Sequence, residues 1–144
     1  MDNKDTLNLL HECESGVKMG IASIDDVLDK VKNDEFRRAL AVSRGTHVDM
    51  NERIASMLKA RGGTSREPSA MAKGMSWIKT NASFALNSSD STIADLMTDG
   101  CNMGIKSLNK YLNQYPAADS DARKLAQSLI SAEEKLAQSI QSYL

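Results

Sequence analysis

Apolar residues recur through most of this chain in steps of three and four, the spacing of helices that bury a single face. From about Asn3 to Val31 the stripe runs Leu7, Leu10, Val17, Ile21, Ile24, Leu28 and Val31, a heptad-like seam suited to shallow-angle bundle packing. Glu14 takes the step missing between Leu10 and Val17. A second stripe, from about Asp34 to Ala60, reads Phe36, Leu40, Ser43, His47, Met50, Ile54 and Met57. Asn33 predicts its N-cap, and Asp34 and Glu35 sit at the positive end of its dipole. Gly62-Gly63 predicts its stop. So few residues separate the two stripes that they predict an antiparallel hairpin.

The periodicity loosens between 62 and 90, where GGTSREPS and NSSDS flank a segment from Met71 to Leu86. In that segment Met71, Met75, Ile78 and Ala82 or Leu86 share a face, with Trp77 beside it. The pattern predicts a long crossover containing a short helix, returning the chain along the bundle so that the second and third long helices run parallel. The third helix is expected over 92–114, opened by a Thr92-x-x-Asp95 capping box. Its expected inner face is Ile93, Leu96, Gly100, Met103, Ser107 and Tyr111, and Pro116 ends it. The fourth is expected over 120–143, with Leu125, Leu129, Ala132, Leu136, Ile140 and Tyr143 inward and Glu133 at or beside the seam. Strand signals are nearly absent. The fold expected is therefore an all-α four-helix bundle, one domain over 1–144, with long helices at about 3–31, 34–60, 92–114 and 120–143 and a crossover over 62–90.

Composition supports a globular chain and excludes some functions. Hydrophobic residues make up 41% and charged residues 26%, which separates the chain from disordered sequences. A net charge of −1 gives no basic field for nucleic acid or an anionic membrane. No apolar run is long enough to span a bilayer, and the start MDNKDTLNLL has no signal-peptide core, so a cytoplasmic protein is expected. Cys13 and Cys101 make no disulfide framework and are expected to remain buried thiols, a redox pair being the alternative. No strand-to-helix elbow with a nucleophile and no phosphate-cradling glycine loop occurs, so an enzyme is not the favoured expectation.

A faint repeat joins the two halves: Cys13-Glu-Ser-Gly16-Val-Lys18 and Cys101-Asn-Met-Gly104-Ile-Lys106. Glycine inside a helix costs about 1 kcal/mol against alanine, so Gly16 and Gly104 suggest close approach or room for something else. With the Arg44–His47 run, the Leu58-to-Gly63 helix ending and the crossover around Trp77, this pair resembles an uncharacterised bacterial family of ferritin-like four-helix bundles over nearly the whole chain.

The resemblance implies two helical hairpins joined by a crossover. Di-iron members of that superfamily draw one Glu from each of two helices and a Glu-x-x-His pair from each of the others. Here Arg44 precedes His47 by three, Glu134 is followed by Ala137, and the third helix offers only Asp95 and Asp99. A complete di-iron site is not expected. A reduced site for iron, manganese or zinc would use Glu14, His47 and Glu133, with Asp99 or Glu12 in support.

Each of these residues also has a structural alternative. Glu14 could pair with His47, Arg44 or a buried water, His47 could be a hydrogen-bonded core residue, and Glu133 could bridge Lys135 on the flank. His11 is expected at a boundary. The favoured function is protein–protein contact, chiefly a homo-oligomer with a dimer first, through Met71, Met75 and Trp77. A small-molecule site where Gly16, Gly100 and Gly104 leave room is a further possibility.

Overall fold

A computed structural model of the chain describes residues 3–68, 77–78, 81 and 87–144. Four long helices carry the fold: α1 (Lys4–Leu28), α2 (Asp34–Ala60), α3 (Asp90–Gln114) and α4 (Ser120–Ile140), the last followed by a 3-10 turn, Gln141–Tyr143. Among the described residues there is no strand, and no helix is long and apolar enough to cross a membrane.

Each helix starts where a short polar side chain satisfies a free backbone N–H. Asn3 accepts from Thr6 N at 3.0 Å, and Asn33 accepts from Phe36 N at 2.9 Å. Asp119 accepts from Ala122 N at 2.9 Å. For α3 the cap is Ser89, which accepts from Thr92 N, so the helix begins two residues before the expected Thr92 box. Asp90 thereby becomes the first residue of the helix, and its carboxylate accepts from Lys32 N at 2.8 Å and Asn33 N at 2.9 Å.

That contact fixes the topology, because it brings the starts of α2 and α3 to one end of the bundle and makes the two helices parallel. At the opposite end Asn3 donates to Ala117 O, and Arg61 bridges Asp119 at 2.8 Å. The starts of α1 and α4 therefore meet the ends of α2 and α3. Helix α2 thus ends at one end of the bundle and α3 begins at the other.

The endings have local causes. Lys30 N and Val31 N both donate to Val27 O, so α1 closes at Leu28 rather than continuing to Val31. In α2 the chain turns at Gly62, whose φ of +76° suits glycine, and Gly63 N reaches back to Leu58 O at 2.7 Å. Tyr143 lies beyond α4 and stacks on Phe36 with ring centroids 4.7 Å apart, closing that end.

Helices α1 and α2 form one closely packed hairpin and α3 and α4 the other; α2 lies along α4, while α1 meets α3 more thinly. Two apolar clusters fill the interior. One, around Leu9, Leu10, Ile54, Leu58, Leu125 and Leu129, occupies the end where α1 begins. The other, around Ile24, Phe36, Leu40, Ile93, Met97 and Ile140, occupies the far end.

Several inner-face assignments change, and Leu7, Leu28, Met57, Ala132 and Tyr143 are half-buried. Met103 is 49% exposed, Ile21 is only half-buried, and Cys101, Leu108 and Leu112 are buried on α3 instead of Ser107 and Tyr111. Ile78 is fully buried. Met71, Met75, Ala82 and Leu86, with most of the expected short helix, lie outside the described residues.

Candidate functional site

Midway along the bundle, where the two apolar clusters meet, the helices carry glycines and polar groups in place of large side chains. On α1 these are Gly16 and Gly20, one turn apart; on α3 they are Gly100 and Gly104, also one turn apart. A cavity of about 370 Å³ lies between the two helices, with residues of α2 and α4 forming its floor. The thin α1–α3 contact follows from this composition, since glycines bring no side chain to fill the gap.

The four glycines have different neighbours. A Cβ placed on Gly20 would lie 3.0 Å from His47 Cδ2, and one on Gly100 would lie 3.1 Å from Trp77 Nε1. These two glycines make room for the chain's own rings. At Gly16 a Cβ would meet nothing within 4 Å, and at Gly104 only the Glu133 carboxylate, from 3.7 Å. The C-x-x-G repeat thus places Gly16 on open space and Gly104 beside the Glu133 side chain.

His47 and Glu133 stand together on the floor. His47 is 1% exposed, its Nδ1 lies 2.8 Å from the backbone oxygen of Ser43, and its Nε2 lies 2.6 Å from Glu133 Oε1. A carbonyl only accepts, so Nδ1 carries a proton, and the short contact at Nε2 holds a second proton between imidazole and carboxylate. Burial works against a charged imidazole. The hydrogen bond and negative charge of Glu133, with the Ser43 carbonyl, outweigh it and raise the His47 pKa above its ordinary value.

Cys101, 2% exposed, points its thiol at the same carboxylate. Burial first, then the charge and hydrogen bond of Glu133, push that thiol far above the usual range. Tyr111 and Glu12 both line the cavity wall, and burial and the Glu12 charge raise the phenol's pKa. Ser23, 4% exposed, also lines the cavity, and its hydroxyl finds no hydrogen-bond partner among the described residues.

Glu14 is elsewhere. Its side chain is 1% exposed, Oε1 accepts from Arg66 N at 3.0 Å, and Lys18 Nζ and His11 Nδ1 lie 3.7 and 3.5 Å from its oxygens. Lys18 also donates to Arg66 O and Glu67. Glu14 therefore fastens the chain leaving α2 onto α1, and its side-chain and backbone partners are neither His47 nor Arg44. Arg44 is likewise committed, to Asp25 on α1.

Of the three candidate ligands the structure brings together His47 and Glu133 and leaves Glu14 apart. Among the described residues no group of three or more His, Cys, Asp or Glu is placed to hold a metal ion. Both nitrogens of His47 are already engaged. Trp77, expected on an outer contact strip, is half-buried against α3, donates its indole N–H to Leu96 O at 3.1 Å and lines the cavity. Sequence reasoning missed Gly20, Ser23 and the Cys101–Glu133 contact. The glycine pair at 16 and 20, one turn apart, was the legible signal for the first; nothing in the sequence marks the others.

No protein-family model matches the sequence, and no curated protein matches it. Among solved structures the chain is similar to the bacterioferritin-related protein from Bacteroides fragilis, described as a dodecameric thioferritin. The TM-score is 0.78 at 12% identity, over 99% of this chain and 86% of that one. The fold is thus an all-α, ferritin-like bundle; at this identity the likeness speaks to fold alone.

Proposed function

We propose that this ferritin-like bundle binds one small, largely apolar molecule in the slot between α1 and α3, and that this slot, rather than a di-iron centre, is its ligand site. The observation that carries it is the pair of glycines, Gly16 and Gly104, facing a cavity of about 370 Å³ that no side chain of the described residues fills. That volume falls within the range of about 300–1,000 Å³ common for small-molecule sites, and few polar groups among many apolar ones is their usual lining. A neutral apolar fluorophore, N-phenyl-1-naphthylamine, should bind saturably at one per chain. Gly104→Leu, which fills the slot from its wall, should abolish that binding while preserving helicity. Absence of saturable binding, or binding indifferent to the leucine, contradicts the proposal.

Two other functions have an observation in their favour. Self-association into a homo-oligomer draws support from the dodecameric state of the similar thioferritin and from the exposure of Val42 and Met103. Sedimentation over a wide concentration range tests it, and a strictly monomeric species opposes it, dimer included. A single iron, manganese or zinc ion on His47 and Glu133 draws support from their meeting at the bundle centre. It would have to open the 2.6 Å contact between them. Metal content after chelator-free purification, compared with His47→Ala, separates that reading from the apolar ligand.

A further inference from the structure

The slot carries a charge pattern that narrows what it can take. Among the described residues no lysine or arginine lines it. The basic group there, His47, spends both nitrogens on Ser43 O and Glu133 Oε1, so it has no donor left for an anion. Two carboxylates, Glu12 and Glu133, share the same walls, which leaves the cavity with negative charge in excess even when His47 is protonated. Glu133 uses Oε1 on His47, while Oε2 is the nearest atom to a Cβ placed on Gly104, at 3.7 Å, and so faces the open part of the slot. Around these acceptors stand the rings of Trp77 and Tyr111 and the sulfurs of Met19, Met97 and Met103. Aromatic faces attract cations, and polarisable thioethers sit well against aromatic ligands.

The space is also shaped. Bare backbone at Gly16 and Gly104 borders a gap between two helices, a geometry that suits a flat body better than a branched one. Inside it the buried hydroxyl of Ser23 has no partner among the described residues, and a buried polar group of that kind is ordinarily satisfied.

We infer that the slot takes a flat aromatic cation, an amine or other protonated nitrogen, whose N–H groups donate to Glu133 Oε2 and whose ring lies between Gly16 and Gly104. This rests on the proposed ligand slot and adds the ligand's class. An anionic ligand would meet two carboxylates and, among the described residues, no free cation. A neutral ring would forgo a charge-assisted hydrogen bond, which is worth more than a neutral one.

The test uses three probes of nearly one shape, titrated calorimetrically into the whole chain: 1-naphthylmethylammonium, 1-naphthylmethanol and 1-naphthoate. The ammonium should bind at least about tenfold tighter than the alcohol, as one charge-assisted hydrogen bond implies, and the carboxylate should not bind measurably. Glu133→Gln should bring the ammonium down to the alcohol's affinity. Glu12→Gln, which leaves the His47 pair untouched, should weaken the ammonium alone and guards against misfolding in the first variant. Equal affinities for ammonium and alcohol, or a preference for the carboxylate, overturn the cation assignment and leave the slot itself standing. Failure of all three probes, together with N-phenyl-1-naphthylamine, overturns both.

Discussion

His47 Nε2 and Glu133 Oε1, carried on α2 and α4, meet at 2.6 Å in the middle of the bundle with the imidazole 1% exposed. Because the folded state raises the His47 pKa, the protonated form is the one the fold favours. The stability this contributes is fully present below the unfolded value, near 6.5 for a free imidazole, and is lost as pH rises through the folded value. Urea midpoints measured from pH 5 to 9 should therefore fall on the alkaline side, and His47→Gln should flatten that slope. A wild-type profile that rises with pH across this range contradicts the pairing.

Glu14 holds the exit from α2 through Arg66 N and is ringed by Lys18 and His11. Glu14→Ala should cost about 1–3 kcal/mol, the cost of stranding buried hydrogen-bonding groups. Trypsin cleavage after Arg66 should accelerate in the same variant. Unchanged cleavage would mean that the contact does not restrain this segment.

Leu129 is 2% exposed in the cluster at the α1-start end, whereas Ile21 only borders it. Leu129→Ala should cost about 2–5 kcal/mol, as buried large-to-small changes do. Ile21→Ala should cost roughly half as much, since part of its area already meets water. Lys30→Ala, on an exposed residue after α1, should be nearly silent in a thermal melt. Equal losses at Leu129 and Lys30 would contradict the packing.

Both thiols are buried, and burial with the charge of Glu12 pushes Cys13 up to about 12. Cys101 is held protonated by burial and by Glu133. Neither should react with Ellman's reagent at pH 8 in the native protein, and both should react in guanidinium. Rapid native labelling of either would show that the helices open locally far more often than their packing implies.

The helices were legible because most positions of the expected stripes on α1 and α2 are buried, including Leu10, Val17, Ile24, Phe36, Leu40, His47 and Ile54. Leu7, Ile21, Leu28, Ser43 and Met57 are half-buried at the edges of these stripes. On α3 the rule placed Ile93 and Leu96 correctly and then left the seam, and the reason is physical. Gly100, Met103, Ser107 and Tyr111 do share a face, but that face borders the slot rather than packed core, so its apolar content is low and Met103 reaches solvent. The seam proper runs through Cys101, Leu108 and Leu112. Within the site, Glu133 was placed near the axis by its spacing from Leu129 and Leu136, and its partner was not, since a contact between α2 and α4 has no periodic signature. Glu14 followed the periodicity of α1 into the interior, but its partner is a backbone N–H at Arg66, which carries no sequence signal.

The passage between the two hairpins is fastened at both extremities: Glu14 grips it as it departs from α2, and Asp90 locks onto Lys32 and Asn33 as α3 begins. A spacer spliced between these two moorings must still deliver Ile78 to the far-end core and the Trp77 ring to α3. Those two side chains give the passage a third fixed point between its moorings.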